Sequence, residues 1–355
     1  MSLTLTTMEL PSRCDESGPR GDAFRAFHAF TDRVNDVRFG PGVIQRSAQE
    51  RLVMCRSTPE ERTETLLAHE TGRLVGSVRW YVPLLENTDV CEIGVSVDPA
   101  LPAERADALF AELLEVGEQY ALDAGRTALR SRSRVAAGGP IPAATGAGGA
   151  DPGDPEVAEL VARGYALEQV YRISVADVRE LPDLDERLAA ARAGAPDYDL
   201  AAWEGPTPQP HRVGMRRMKE GMSTDAPGSG TLFDPEVWDD QRLTHFEAHV
   251  VDGGRTSRTV AAFHRASGEM AGFTSIFVGS GDMAVQHDTY VLGDHRGHGL
   301  GLLMKLANLV ELRAHHPGHP RLTTWNAEEN RPMLAVNEAT GFRAVSYDGV
   351  WGRRA

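Results

Sequence analysis

Two passages of this 355-residue chain repeat one layout, and that internal echo restricts the fold more than any other feature. In the first, His69-Glu-Thr-Gly-Arg-Leu-Val-Gly76 leads into Ser77–Val82, then Val90–Val97, then a run with Leu109, Phe110, Leu113, Leu114 and Gly117 at helical spacing. In the second, His264-Arg-Ala-Ser-Gly-Glu-Met-Ala-Gly272 leads into Phe273–Val278, then Ala284–Leu292, then a helical run with Leu302, Leu303, Leu306, Leu309 and Val310. Each reads as hairpin, strand, helix. Both passages close on a helix ending in Arg163-Gly164-Tyr165 or Thr340-Gly341-Phe342, where Gly suits the left-handed position past a helix terminus, and a β-rich stretch follows. A period of about two hundred residues is too long for a solenoid, so two copies of one α/β domain are expected, each a mixed central sheet flanked by helices. The length agrees, since one ordinary core rarely serves more than about 250–300 residues.

The polar, Ala-rich stretch Arg179–Leu200, with Pro182, Gly194 and Pro196, reads as a short helix plus connector. It places the first domain at residues 1–185, a linker at 186–199 and the second domain at 200–355. Ala136–Pro155, rich in Gly and Pro, reads as a mobile surface insertion without chemistry. Pro206–Asp225 carries Met215, Met218 and Met222 at helical spacing, a stripe that usually packs on a core.

A net charge of −14 offers no basic field for phosphates, so no nucleic-acid partner is expected and a neutral or cationic small molecule fits better. Met1–Pro11 lacks a basic segment followed by an apolar one, and no run approaches the ~20 apolar residues of a membrane span. No membrane partner and a cytoplasmic location follow as expectations. Cys14, Cys55 and Cys91 form no CxxC pair and read as reduced thiols.

The sharpest motif is Thr289-Tyr-Val-Leu-Gly-Asp-His-Arg-Gly-His-Gly-Leu-Gly301, a strand passing through a glycine-rich turn into a helix. Glycines at 297, 299 and 301 leave main-chain N–H groups at a helix N-terminus open to an oxyanion such as a pyrophosphate. No Lys-Ser or Lys-Thr follows as in a P-loop, and the spacing is not GxGxxG.

The turn Arg296-Gly297-His298-Gly299-Leu300-Gly301 resembles the acetyl-CoA signature of the Gcn5-related N-acetyltransferases (GNAT), Gln/Arg-x-x-Gly-x-Gly/Ala. Asn330-Arg-Pro-Met-Leu-Ala-Val-Asn-Glu-Ala-Thr-Gly-Phe342, after the strand Leu322–Asn326, resembles that family's Asn-x-x-Ala-x-x-Leu-Tyr-x-x-x-Gly-Phe ending. The resemblance implies a sheet splayed between its fourth and fifth strands with CoA in the cleft. It places the diphosphate on Arg296, Gly297, His298, Gly299, Leu300 and Gly301 and the pantetheine arm along the Val291–Leu292 backbone, with Asn326, Asn330 and Asn337 bordering the cofactor. One departure stands out: Asn337 occupies the position where many members carry a Tyr that protonates the leaving thiolate.

Acetyl transfer needs a base for the amine and a donor for the developing oxyanion. An amide near Leu292 is the candidate donor. Strand alternation puts Gln286, Asp288 and Tyr290 on one face and His287, Thr289 and Val291 on the other, so only one set is expected to line the cleft. Asp288 is the favoured base, with His287 as rival and Glu328 as a third candidate; Tyr290 and Tyr347 are substitutes for the missing acid. The His315-His-Pro-Gly-His319 cluster lacks a fourth ligand, so no metal is expected.

Matching Val97 to Val291 sets Pro102, Ala103, Glu104, Arg105 and Asp107 against Arg296, Gly297, His298, Gly299 and Gly301. With no glycine and two carboxylates there, the first copy reads as degenerate, a pattern that also resembles mycothiol synthase. The chain is thus expected to be an acetyl-CoA-dependent N-acetyltransferase acting on a small-molecule amine, as a monomer or homodimer. The alternative is a noncatalytic CoA-binding sensor or scaffold.

Overall fold

The computed structural model describes residues 3–225 and 234–355. The first half runs β1 (Leu3–Thr7), α1 (Pro19–Phe39), α2 (Ala48–Met54), β2 (Glu61–Glu70), β3 (Arg73–Pro83), β4 (Val90–Val97), α3 (Ala103–Asp123), β5 (Ala128–Val135), the two-residue strands β6 (Ile141–Pro142) and β7 (Gly149–Ala150), α4 (Pro155–Ala162) and β8 (Ala166–Asp177). After α5 (Leu184–Ala193) the second half repeats the order with β9 (Tyr198–Glu204), α6 (Arg212–Asp225), α7 (Asp240–Asp252), β10 (Thr256–His264), β11 (Met270–Val278), β12 (Met283–Val291), α8 (Leu300–His315), β13 (Arg321–Ala327), α9 (Arg331–Ala339) and β14 (Arg343–Arg354). The expected mixed α/β architecture and its duplication are present. Gly164 and Gly341, past the ends of α4 and α9, have φ of 83° and 86°, the left-handed conformation their positions called for.

The two sheets are not separate. One twelve-stranded sheet runs β1-β2-β3-β4-β5-β14-β8-β13-β12-β11-β10-β9. The halves exchange their last strands: β14 lies antiparallel to β5, and β8 lies antiparallel to β13. β8 and β14 also pair with each other and join the halves edge to edge. Trp351, on the last strand of the chain, is therefore fully buried in the first half's core with Ile93, Leu129 and Leu167, and its indole Nε1 donates to Ser133 Oγ at 2.9 Å. Sealing both sheets through the exchanged strands removes two edges that would otherwise be open to other chains.

Within each half one parallel pair sits amid antiparallel neighbours. β4 pairs with β5 from Val90↔Ala128 to Ile93↔Ser131, and β12 with β13 from Met283↔Arg321 to Val285↔Thr323; beyond these points the strands part. The apolar faces of α3 and α8 cover the sheet beneath, with Leu109 and Leu113 in one core and Leu306 and Leu309 in another. The Gly- and Pro-rich insertion is more ordered than its composition implied. β6 and β7 pair, Ala150 is fully buried, and a Cβ on Gly148 would meet the Val170 side chain at 2.8 Å. Among the described residues no helix is long and apolar enough to cross a membrane.

Candidate active site

β12 carries a β-bulge where it runs along the cleft. Thr274 pairs with Thr289 and Ile276 with Gln286, so two residues of β12, His287 and Asp288, oppose the single Ser275. The extra residue breaks strict alternation and turns neighbouring side chains the same way. His287 and Asp288 accordingly line the same two cavities, of 570 Å³ and 460 Å³. The expectation that one alternate set alone would face the cleft is corrected here.

Asp288 is nearly enclosed and forms an ion pair with Lys219 Nζ, while His287 Nδ1 lies 3.2 Å from its Oδ1. Burial raises its pKa, but His287 and Lys219 outweigh burial and hold the carboxyl well below the ordinary carboxylate range. A carboxylate so stabilised stays ionised and accepts a proton poorly, which makes Asp288 a better partner for His287 than a base in its own right. The His287 ring is fixed by stacking on Phe277, centroids 4.2 Å apart, and by Phe246 at 6.0 Å.

Lys219, given no role by the sequence, which showed it only as one of the charged residues interleaved with the Met stripe, is buried on α6 with its Nζ 3.9 Å from the centroid of the Phe246 ring. Its signal was positional. Met215, Met218, Lys219 and Met222 fall at the i, i+3, i+4, i+7 positions of one helix face, so a lysine occupies a place reserved for apolar side chains. Met215 and Met218 are buried in the core as expected, whereas Met222 borders three contiguous cavities of the cleft.

The glycine turn opens onto a 560 Å³ cavity lined by Val291, Arg296, Gly297, Gly299 and Gly301. Gly297 (φ 85°) and Gly299 (φ 71°, the residue capping α8) both adopt the left-handed conformation, and a Cβ on either would meet nothing within 4 Å. Conformation, not crowding by the protein, demands glycine here, and the open space beside it is where a ligand's phosphates would approach the N-terminus of α8. Tyr198 Oη and His295 Nδ1, 3.0 Å apart, brace the turn from behind, and the exposed His298 ring lies near Tyr198.

Several further expectations resolve here. Leu300 faces inward and is buried in the core. The Leu292 amide donates to Ala271 O at 2.9 Å, so the expected oxyanion donor is already engaged in the sheet. Tyr290 donates its hydroxyl to Asp225 Oδ2 at 2.7 Å; burial first, then that carboxylate, push its pKa up to about 12, which ill suits an acid working near neutrality. Arg296 reaches the same Asp225 oxygen at 2.7 Å. Glu328 is clamped by Arg172 of β8 at 2.7 and 2.8 Å and acts as a brace between the halves. Tyr347 rides on β14, opposite Val135 of β5, and does not border the cleft cavities, because the strand exchange carries it into the first half's sheet.

Asn326 lines the 570 and 460 Å³ cavities, whereas Asn337, expected to border the cofactor, is buried beneath them and lines none of the three; its Nδ2 donates to Asn326 Oδ1 at 2.5 Å, and Lys305 Nζ donates to its Oδ1 at 2.6 Å. Asn330 caps α9, accepting from Met333 N at 3.3 Å, and also lines all three cavities. At the far end of the 570 Å³ cavity the first half contributes Arg46 and Met54. Arg46 and Arg255 both contact a single carboxylate, Glu50, the latter at 3.2 Å, and Arg255 stacks over Phe277 at 5.1 Å. Locally, then, the cleft carries more positive charge than the net balance of the chain implied.

No protein-family model matches the sequence, and no curated protein is significantly similar to it. Solved structures do match. A tandem GNAT protein from the clavulanic acid biosynthesis pathway superposes with a TM-score of 0.72 at 24% identity, covering 99% of this chain and 98% of that one. A GCN5-related N-acetyltransferase from Sphaerobacter thermophilus gives 0.64 at 11% identity over 99% and 95% of the two chains. The glucosamine N-acetyltransferase region of a fungal multi-domain GH3 β-N-acetylglucosaminidase gives 0.59 at 11% identity, covering 99% of this chain and 38% of that one. The fold is that of a tandem GNAT protein.

The two GNAT-like units differ at the glycine turn. α3 starts at Ala103, whereas Ala106 is the counterpart of Leu300, the first residue of α8, so in the first unit the turn is already wound into helix. The matching 270 Å³ cavity is bordered by four carboxylates, Asp98, Asp107, Asp154 and Glu156, by two cations, Arg38 and Arg134, and by Val34 and Val37 of α1. With the turn wound into helix and carboxylates outnumbering arginines on this wall, an anion is less favoured here than at the turn before α8. Among the described residues no group of three or more His, Cys, Asp or Glu is placed to hold a metal ion.

Proposed function

We propose that the second GNAT unit transfers an acetyl group from acetyl-CoA to the amine of a small molecule by direct attack on the thioester. The observation that carries this reading is the pair of left-handed glycines before α8, opening onto a cavity continuous with a splayed strand pair that presents His287 and Asp288. In it the diphosphate lies against the amides at the start of α8 and the pantetheine arm runs along β12 toward the bulge. His287 takes the proton from the amine, and Asp288 keeps the imidazole oriented and stabilises its cation. Arg46 and Arg255, sharing one Glu50, support an acceptor that also carries a carboxylate or similar anion.

The test is thiol release from acetyl-CoA over a panel of amino acids, polyamines and amino sugars, with calorimetry for CoA; the sugars belong there because one structural neighbour is described as a glucosamine N-acetyltransferase. Gly299→Val should abolish CoA binding and leave the fold intact. Unchanged affinity would refute the assignment of the turn. CoA binding by the unmodified protein with no turnover on any amine would favour a sensor instead.

A further inference from the structure

Lys305 is 2% exposed, in a helix whose other inward residues are apolar except Asn308, an amide held by main-chain carbonyls. Its only hydrogen bond among the described residues goes to a neutral group, Asn337 Oδ1, and no carboxylate pairs with it. The Phe342 ring, 5.7 Å from Nζ, compensates the charge only in part, and burying an ammonium without a counter-charge is costly. Such a group points to chemistry. It lines the cavity shared by Asp288, His287 and Asn326, and the other charged or titratable side chains there are Arg46, Arg255 and His249. Asn337, its partner, stands where the GNAT pattern carries the tyrosine that protonates the departing thiolate.

We propose that Lys305 is the proton donor to the CoA sulfur, with Asn337 as its positioning residue. This rests on the acetyl-transfer reading above. The amine nitrogen bonds to the thioester carbonyl carbon, the C–S bond breaks, and its electron pair leaves on sulfur. Lys305 Nζ–H delivers a proton to that sulfur and becomes a neutral amine, which recovers a proton from solvent, while the proton lost by the attacking amine goes to His287. The same burial suits the role, since it pushes the Lys305 ammonium down to about 7, so that the proton is readily released.

Lys305→Met keeps the volume and removes the proton. With acetyl-CoA its kcat should fall on the order of 10²-fold or more, with CoA affinity by calorimetry unchanged. With an aryl thioester of acetate, whose thiolate leaves without protonation, the deficit should shrink below about tenfold. Adding Asn337→Tyr to Lys305→Met should recover much of the lost rate. The alkaline fall of kcat that comes from Lys305 losing its proton should be missing from Lys305→Met. If the variant does not fold, Lys305→Arg retains the cation without a transferable proton and should give the same donor dependence. A kcat within about twofold of the parent, or an equal deficit with both donors, overturns the proposal. Failure of the parent protein to turn over any amine would instead sink the acetyl-transfer reading and this proposal with it.

Discussion

Lys219→Met isolates the electrostatics that hold the bulge. Both members of the Lys219–Asp288 pair are nearly enclosed, with side chains 5% and 14% exposed, so solvent screens them little. Methionine fills much the same volume against Phe246 and Phe273 but leaves Asp288 with only His287 for compensation. Removing one partner of a buried pair typically costs about 3–5 kcal/mol, mostly the penalty of the stranded charge. The sign with pH follows. In the parent protein the Asp288 pKa is lower folded than unfolded, so its contribution is fully present above the unfolded value near 3.9 and is lost only as pH falls through the folded one. In the variant the folded pKa rises. The deficit is therefore largest near neutrality and narrows as pH falls through the raised value, where Asp288 takes up a proton. Urea unfolding at a series of pH values measures it, and Lys219→Met/Asp288→Leu should regain most of the loss because no buried charge remains. A neutral-pH deficit under about 1 kcal/mol, or a double variant no more stable than the single one, would refute the reasoning.

Trp351→Ala should cost about 3–5 kcal/mol and be felt first in the first half, although residue 351 lies at the other end of the chain; tryptophan fluorescence and hydrogen exchange on β5 report it. His287→Gln should lower kcat on the order of 10²–10⁴-fold with CoA affinity retained. Asp288→Asn should reduce kcat less and shift its pH profile; a profile superposable on the parent's would remove Asp288 from the catalytic dyad.

The elements most visible in the sequence were those built from local signals. The glycine turn at 297–301, the Gly164 and Gly341 helix stops and the apolar runs of α3 and α8 were legible because backbone conformation and helical period are written in neighbouring residues. The contrast between the two strand-to-helix turns was legible for the same reason, since only glycine readily adopts the left-handed conformation seen at 297 and 299. The cleft was less so. Lys219 is 69 residues from Asp288, and neither residue type announces a partner at that distance.

By itself, the order of residues determined that this chain is a duplicated α/β protein with one open glycine turn. Only the tertiary structure decided that the halves trade their final strands, that a one-residue bulge aims His287 and Asp288 into one cavity, and that Lys305 sits buried beside Asn337. Strand exchange leaves each strand's own pattern unchanged, because β8 and β14 would present the same alternation to either sheet. Which neighbour each strand takes is set by packing across the whole molecule, and no local periodicity encodes it.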